Sequence, residues 1–147
     1  MDDAQPLPSL VLMAGSRACA IPVDRVVETM RPMPIEPIPN AAPFVLGLSI
    51  VRGAPVPVVA LSQLVGARDA GRATRFVTVR AGDRVVALAV DRVEGVVALD
   101  RARLDALPPL LRDVSEAVAG ALALDERLLL VLRAARLFPD GVSGAEP

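Results

Sequence analysis

The sequence has no histidine, tryptophan or tyrosine, and its only cysteine is Cys19. Histidine is the commonest general base and metal ligand, so its absence beside a single thiol excludes a Cys/His zinc site and a Ser-His-Asp triad. One cysteine also excludes an internal disulfide bond, which fits a reducing compartment. We therefore expect no enzyme activity and no catalytic, cofactor-binding or metal-binding residues.

Excess positive charge is also missing. The 16 basic residues are all arginines, and 17 acidic residues bring the net charge to -1. Such a chain has no field that attracts phosphate backbones. The only aromatic residues are three phenylalanines, so platforms on which bases or sugars stack are nearly absent. A small barrel that binds RNA or oligosaccharide is therefore disfavoured, and we expect no nucleic-acid partner.

No long hydrophobic run is present. The longest apolar runs, Ala117–Leu124 and Leu128–Leu132, are far shorter than the roughly 20 residues that span a bilayer. The first residues, Met1–Pro8, lack the basic start and apolar run of a signal peptide. We expect a cytoplasmic protein with no direct membrane insertion.

From Ser9 onward, short apolar runs rich in β-branched residues alternate with Gly, Pro, Asp or Arg turn signals. This pattern is typical of strands rather than helices. It predicts ten strands: Ser9–Met13, Arg17–Ile21, Arg25–Met30, Val45–Val51, Ala54–Leu61, Arg75–Arg80, Arg84–Asp91, Val93–Leu99, Val118–Leu124 and Leu128–Leu132.

Breaks between the strands are of several kinds. Tight hairpins are predicted at Arg52-Gly53 and at Ala81-Gly82-Asp83. Five prolines between Arg31 and Pro43 predict a stiff, extended loop. The polar segment Gly66–Thr74 predicts a solvated linker that divides the chain near its middle. Short helical segments are predicted at Ser62–Val65, Arg101–Leu107 and Ala134–Phe138.

Few side chains are candidates for function. Cys19 lies in an apolar strand, where a thiol acts as a small hydrophobe. The acidic pairs Asp2-Asp3 and Asp125-Glu126 are interpreted as terminal and turn residues. Arg52 is the best candidate, because the turn is expected to point its donor fork outward, free to meet a carboxylate on another protein. An ordinary solvated turn residue is the alternative.

Two glycines support the segment around Arg52. Gly53 supplies the positive φ of a tight hairpin, and Gly47 lets two backbones approach. Together with Ile21-Pro22, Val26-Val27-Glu28 and Pro57-Val58-Val59-Ala60-Leu61, they form an ordered pattern. This pattern resembles that of CheW-type chemotaxis coupling proteins, over about Leu10–Phe138. Downstream, the run from Val85 to Val93, Gly120 and the segment Leu128–Leu132 also resemble the family.

The resemblance implies an all-β fold of two packed five-stranded SH3-like β-barrel subdomains with short helical turns and a shared apolar core. We expect one CheW-like domain over residues 9–138, with two intertwined subdomains and flexible termini at residues 1–8 and 139–147.

For function, the resemblance implies an adaptor that couples the cytoplasmic tip of methyl-accepting chemoreceptors to the regulatory domain of a CheA-type histidine kinase. It would act at membrane-associated receptor arrays, within a two-component system. The residues matched to partner contacts are Glu28, Arg52, Val26 and Val51, with Gly47 and Gly53 holding the backbone. Glu28 as a solvated edge-strand acid, and Val26 and Val51 as core residues, are the alternatives.

Three positions depart from the family pattern. Relatives usually have Asn at the position of Ile50 and Asp at that of Ala60, and often an acid or amide at that of Arg133. Ile50 and Ala60 either deepen a core or remove hydrogen bonds that hold the Arg52 turn. The alternative function is a CheW-like scaffold or regulatory subunit of a kinase pathway unrelated to motility.

Overall fold

A computed structural model describes residues 6–106 and 116–140. The ten predicted strands are confirmed there, each end within two residues of its expected place. Their bounds are β1 Leu7–Ala14, β2 Arg17–Pro22, β3 Val26–Met30, β4 Val45–Val51, β5 Ala54–Ala60, β6 Arg75–Ala81, β7 Arg84–Val90, β8 Arg92–Leu99, β9 Val118–Leu124 and β10 Arg127–Leu132. One short helix, α1 (Leu61–Leu64), follows β5, and 3-10 turns cover Val23–Arg25, Arg101–Arg103 and Ala134–Arg136.

The strands form two five-stranded sheets, as the predicted fold class requires. The terminal sheet has the order β8-β1-β2-β10-β9, and the central sheet has the order β3-β6-β7-β5-β4. The linker Gly66–Thr74 divides the chain near its middle, as predicted, but it does not separate the two sheets. It lies between β5 and β6, which both belong to the central sheet, whereas the terminal sheet combines both ends of the chain.

Both sheets follow one pairing plan. A hairpin of two central strands, β1–β2 or β6–β7, is extended by a parallel strand from a second hairpin, β9–β10 or β4–β5. The second hairpins have two-residue turns, Arg52-Gly53 and Asp125-Glu126, in which every residue has a positive φ, as type I′ turns require. The acidic pair Asp125-Glu126 is therefore a turn, as expected.

Three apolar clusters hold the sheets together. One contains residues of the terminal sheet alone, another contains residues of the central sheet alone, and the largest is shared by the two sheets. Along β1, Leu10 and Leu12 belong to the shared cluster while Val11 and Met13 belong to the terminal one. Alternate strand residues point to opposite faces, so such strands are buried on both sides, which explains their continuous apolar runs.

The predicted helix Arg101–Leu107 is wrong beyond its first turn. The 3-10 turn ends at Arg103, and Asp105 forms a bridge with Ala121. The N–H of each donates to the C=O of the other, at 2.8 and 2.9 Å. These two hydrogen bonds hold the chain extended against β9 and prevent a helix there. The last residue of the predicted helix, Leu107, lies outside the described residues.

The boundaries of the folded part also differ from the expected ones. Leu7 and Pro8 belong to β1, opposite Leu99 and Ala98, and Pro139 is buried. The expected flexible segments therefore include three residues that are part of the fold. Within residues 6–106 and 116–140, no helix is long and apolar enough to cross a membrane.

The segment Gly66–Thr74 is exposed or half-buried throughout, as expected of a solvated linker, and it is also anchored by hydrogen bonds. The Asp91 carboxylate accepts hydrogen bonds from the N–H of Gly71 at 3.0 Å and from the N–H of Gly15 at 2.9 Å. The Asp69 carboxylate accepts from the N–H of Ser16 at 3.1 Å. Because Gly15 and Ser16 form the β1–β2 turn, these bonds tie the linker to the terminal sheet.

Candidate partner-binding site

The β4–β5 turn presents Arg52 at the surface. Arg52 has φ 53° and Gly53 has φ 82°, so the expected positive φ of Gly53 is confirmed, and the arginine adopts one too. In the strands that the turn connects, Val51 lies opposite Ala54 and Ile50 lies opposite Pro55. The tight turn leaves the Arg52 side chain 80% exposed.

Arg52 and Glu28 form a bidentate ion pair. Arg52 Nε donates to Glu28 Oε2 at 3.0 Å, and Arg52 Nη2 donates to Glu28 Oε1 at 2.7 Å. Glu28 lies on β3, and β3 and β4 are the opposite edges of the central sheet. The pair therefore links the two edges of this sheet. The expected free donor fork is a wrong prediction, because two of its N–H groups are bonded within the chain.

The electrostatics of the pair favour its charged form. The hydrogen bond from Arg52, assisted by its positive charge, holds the pKa of Glu28 below its usual value. The same hydrogen bond and the Glu28 charge raise the pKa of Arg52. The Glu28 side chain is 25% exposed. Exposed ion pairs stabilise a fold little, so this one contributes little to holding the sheet together.

The two valines occupy different environments. Val51 is buried in the cluster inside the central sheet, beside Phe76 and Val58. Its side chain is not at the surface. Of the two alternatives for Val51, partner contact and core residue, the structure therefore shows the core residue. Val26 is half-buried and packs against the shared cluster. The exposed valine of β3 is Val27, which was not among the expected partner contacts.

Val27 is the unpaired residue of a bulge in β3, and exposure alternates along the strand, with Val27 and Thr29 exposed. Val26 lies opposite Val79 and Glu28 lies opposite Thr78, so Val27 has no residue opposite it. The extra residue shifts the register of pairing between β3 and β6. No sequence signal distinguishes Val26 from Val27, since the bulge arises from the pairing of β3 with β6.

Gly47 permits the close backbone approach expected of it. Its φ is 145°, and a Cβ at this position would lie 2.2 Å from the Glu36 carbonyl oxygen. Glu36 and Leu48 exchange backbone hydrogen bonds of 2.7 and 2.8 Å. The Ser49 hydroxyl donates to the Pro34 carbonyl at 2.7 Å. The proline-rich loop is thus extended along β4, as predicted, and Gly47 makes room for it.

The residues that depart from the family pattern lie in contrasting places. Ile50 is 61% exposed, so it does not deepen a core. Ala60 is buried, and its N–H donates to the Phe44 carbonyl at 2.8 Å. Arg133 is exposed just after β10. An apolar side chain at position 50 therefore faces solvent two residues before Arg52.

A second exposed ion-pair cluster lies on the terminal sheet. Glu94 on β8 accepts from Arg127 at 2.8 Å and from Arg92 at 3.2 Å. The Arg127 hydrogen bond is the main cause that lowers the pKa of Glu94. This cluster resembles the Glu28–Arg52 pair in chemistry, and it provides a matched control for experiments on that pair.

The remaining candidates are structural. Cys19 is fully buried, and desolvation raises the pKa of its thiol to about 12, so it is not a nucleophile at neutral pH. Asp2-Asp3 lie outside the described residues. In the described ranges, no three His, Cys, Asp or Glu side chains are grouped to hold a metal ion.

Comparison with known proteins gives consistent matches. Residues 8–141 match the family model of the CheW-like domain. "Chemotaxis protein CheW" of Helicobacter pylori is 25% identical over 134 residues, which cover 90% of this chain and 81% of that protein. The protein of the same name from Thermotoga maritima is 31% identical over 121 residues, which cover 79% of this chain and 77% of that protein.

The fold comparison agrees. The crystal structure of the scaffolding protein TtCheW from Thermoanaerobacter tengcongensis has a TM-score of 0.76 at 22% identity, over 87% of this chain and 89% of that chain. This likeness concerns the fold, and the family match covers most of the sequence. The chain therefore belongs to the family of CheW-like domain proteins.

Proposed function

We propose that this protein is a non-catalytic adaptor that couples methyl-accepting chemoreceptors to the regulatory domain of a CheA-type histidine kinase. The observation that carries the proposal is the Glu28–Arg52 pair. Both residues were selected as partner contacts from the sequence, and their side chains meet at the surface, with Arg52 80% exposed. The adaptor acts in the cytoplasm, at receptor arrays.

The surroundings of the pair have the composition of a protein interface. Val27 follows Val26 in the bulge and is 43% exposed, and Ile50 is 61% exposed. Both are close in sequence to one member of the ion pair. Arginine is enriched at protein interfaces and the buried centre of an interface is more apolar than the rest of the surface, while charged pairs set orientation and specificity. Val51 is excluded from this surface because it is buried.

The two-sheet architecture suits a mechanical link between partners. The shared apolar cluster contains fully buried side chains from both sheets, including Leu12, Ile21, Val77 and Leu88. Densely packed interiors deform little, so a displacement imposed on one surface is passed to another. Binding the receptor and the kinase to one such body allows the receptor state to bias the kinase through a coupling free energy.

Titration calorimetry tests the kinase contact. The protein is titrated into the regulatory domain of each CheA-type kinase encoded in the same genome, and in parallel into a peptide hairpin of the receptor tip. We expect micromolar or tighter binding to one kinase. Arg52→Glu should weaken this binding at least about tenfold, as loss of an interface arginine does. Arg127→Glu breaks the ion pair on the terminal sheet and should bind as the wild type does.

A charge swap separates recognition from local structure. In the double variant Glu28→Arg/Arg52→Glu, an ion pair of reversed polarity still links the two edges of the sheet. We expect this variant to unfold at the wild-type temperature but to bind the kinase as weakly as Arg52→Glu. Recovery of wild-type affinity would mean that the pair acts only within the chain. A folded wild type that binds none of the kinases would favour a scaffold of another pathway.

A further inference from the structure

Thr78 is a polar residue in an apolar interior. It is 1% exposed and lies on β6 between Val77 and Val79, which belong to the shared cluster. Since strand residues alternate, Thr78 lies on the opposite face with Phe76, inside the central sheet. A hydroxyl buried there costs free energy unless it is hydrogen-bonded. Its Oγ1 donates to the carbonyl oxygen of Glu28 at 3.2 Å.

The acceptor of this bond lies beside the bulge of β3. Thr78 lies opposite Glu28, the residue that directly follows the unpaired Val27 of the bulge. A bulge interrupts the ladder and bends the strand, and Glu28 is the first residue after the bulge that is again paired with β6. The hydrogen bond from the Thr78 hydroxyl therefore constrains the main chain of Glu28, and the side-chain carboxylate of the same residue binds Arg52.

We propose that Thr78 is a positioning residue, whose hydroxyl fixes the main chain of Glu28 so that the Glu28 carboxylate holds Arg52 in one orientation for the partner. This inference rests on the proposed function. A bidentate pair requires both oxygens to face the planar guanidinium, so a small rotation of the β3 backbone breaks one of its two hydrogen bonds. A valine at position 78 fills the same space without fixing the Glu28 carbonyl.

The first test uses the protein without a partner. The pKa of the Glu28 carboxyl is measured by NMR in the wild type, Thr78→Val and Thr78→Ser. We expect it to rise toward its usual value in Thr78→Val and to stay low in Thr78→Ser, which keeps the hydroxyl. If Thr78→Val does not fold, Thr78→Ala replaces it, because it differs from Thr78→Ser by one oxygen. An unchanged Glu28 pKa in the variant without the hydroxyl overturns the proposal.

The second test measures affinity for the kinase regulatory domain. Thr78→Val should bind about fivefold more weakly, the usual effect of one hydrogen bond, and Thr78→Ser should bind nearly as the wild type does. In a chain that already carries Arg52→Ala, Thr78→Val should cause no further loss, because its effect passes through Arg52. Additive losses would show that Thr78 affects binding independently of Arg52 and would overturn the proposal. Failure of the wild type to bind refutes the proposed function, whereas the Glu28 pKa still decides the role of Thr78.

Discussion

Replacement of Gly47 by alanine should destabilise the fold more than any other glycine substitution near the site. Gly47 has φ 145°, a conformation that side chains rarely adopt. A Cβ there would lie 2.2 Å from the Glu36 carbonyl oxygen and 2.7 Å from Ile35 Cγ2. The nearest of these atoms belongs to backbone, so the clash is relieved only if the proline-rich loop moves away from β4.

The size of the effect follows from these contacts. Backbone strain at such a φ costs about 1–3 kcal/mol. Moving the loop breaks the two Glu36–Leu48 hydrogen bonds, which contribute about 1 kcal/mol each. We expect Gly47→Ala to lower the free energy of unfolding by about 4 kcal/mol, a large part of the roughly 5–15 kcal/mol that stabilises a typical domain.

Urea denaturation checks this value. Circular dichroism is the appropriate probe, since the chain has no tryptophan or tyrosine. Gly53→Ala is the matched control: Gly53 also has a positive φ, 82°, but a Cβ at this position would have no neighbouring atom within 4 Å. It should lose only about 1 kcal/mol. Equal losses in the two variants, or a loss below about 1 kcal/mol in Gly47→Ala, would refute the reasoning.

Three further outcomes are expected. Val51→Ala should lower the free energy of unfolding by about 2 kcal/mol while leaving kinase affinity unchanged, and an affinity loss in the folded variant would return Val51 to the interface. Cys19, with a thiol pKa of about 12, should react with a thiol reagent at pH 8 only after urea unfolds the chain, and rapid reaction of the native protein would disprove its burial. Glu28, Asp69 and Glu94 have pKa values lowered by folding, so they bind protons more readily in the unfolded chain. The stability that these three carboxylates contribute is complete above about pH 5 and is lost as the pH falls through their folded pKa values. We expect the unfolding midpoint to decline below about pH 4.5 in a salt-dependent way. An unfolding midpoint that does not change with pH would contradict this expectation.

Local features of the fold were predictable because they depend on neighbouring residues. Strand positions follow from short apolar runs, and the hairpin at Arg52-Gly53 follows from the need for a positive φ at Gly53. The helix predicted at Arg101–Leu107 failed for the opposite reason. Its composition permits a helix, but hydrogen bonds between Asp105 and Ala121 hold the chain extended. Tertiary pairing overrode local propensity.

At the candidate site, too, the sequence predicted some features while the tertiary structure decided others. Arg52 and Glu28 were identified by the resemblance of their motifs, but the sequence did not show that they form an ion pair. Their contact requires opposite edges of the central sheet to approach, which depends on strands far apart in the chain. Of the two adjacent valines of β3, Val27 is exposed and Val26 packs against the shared cluster, which the composition of the strand does not indicate. Val27 is also the unpaired residue of a bulge, and a bulge leaves no mark in composition.

By itself, the sequence determined the all-β class of fold and the tight turns, because these follow from composition and short-range pattern. The tertiary structure decided how the strands are shared between the sheets, which valine is exposed and which partner holds Arg52. Those features depend on the register between distant strands. Each strand buries apolar side chains in several possible pairings, and only the packed sheets select one of them.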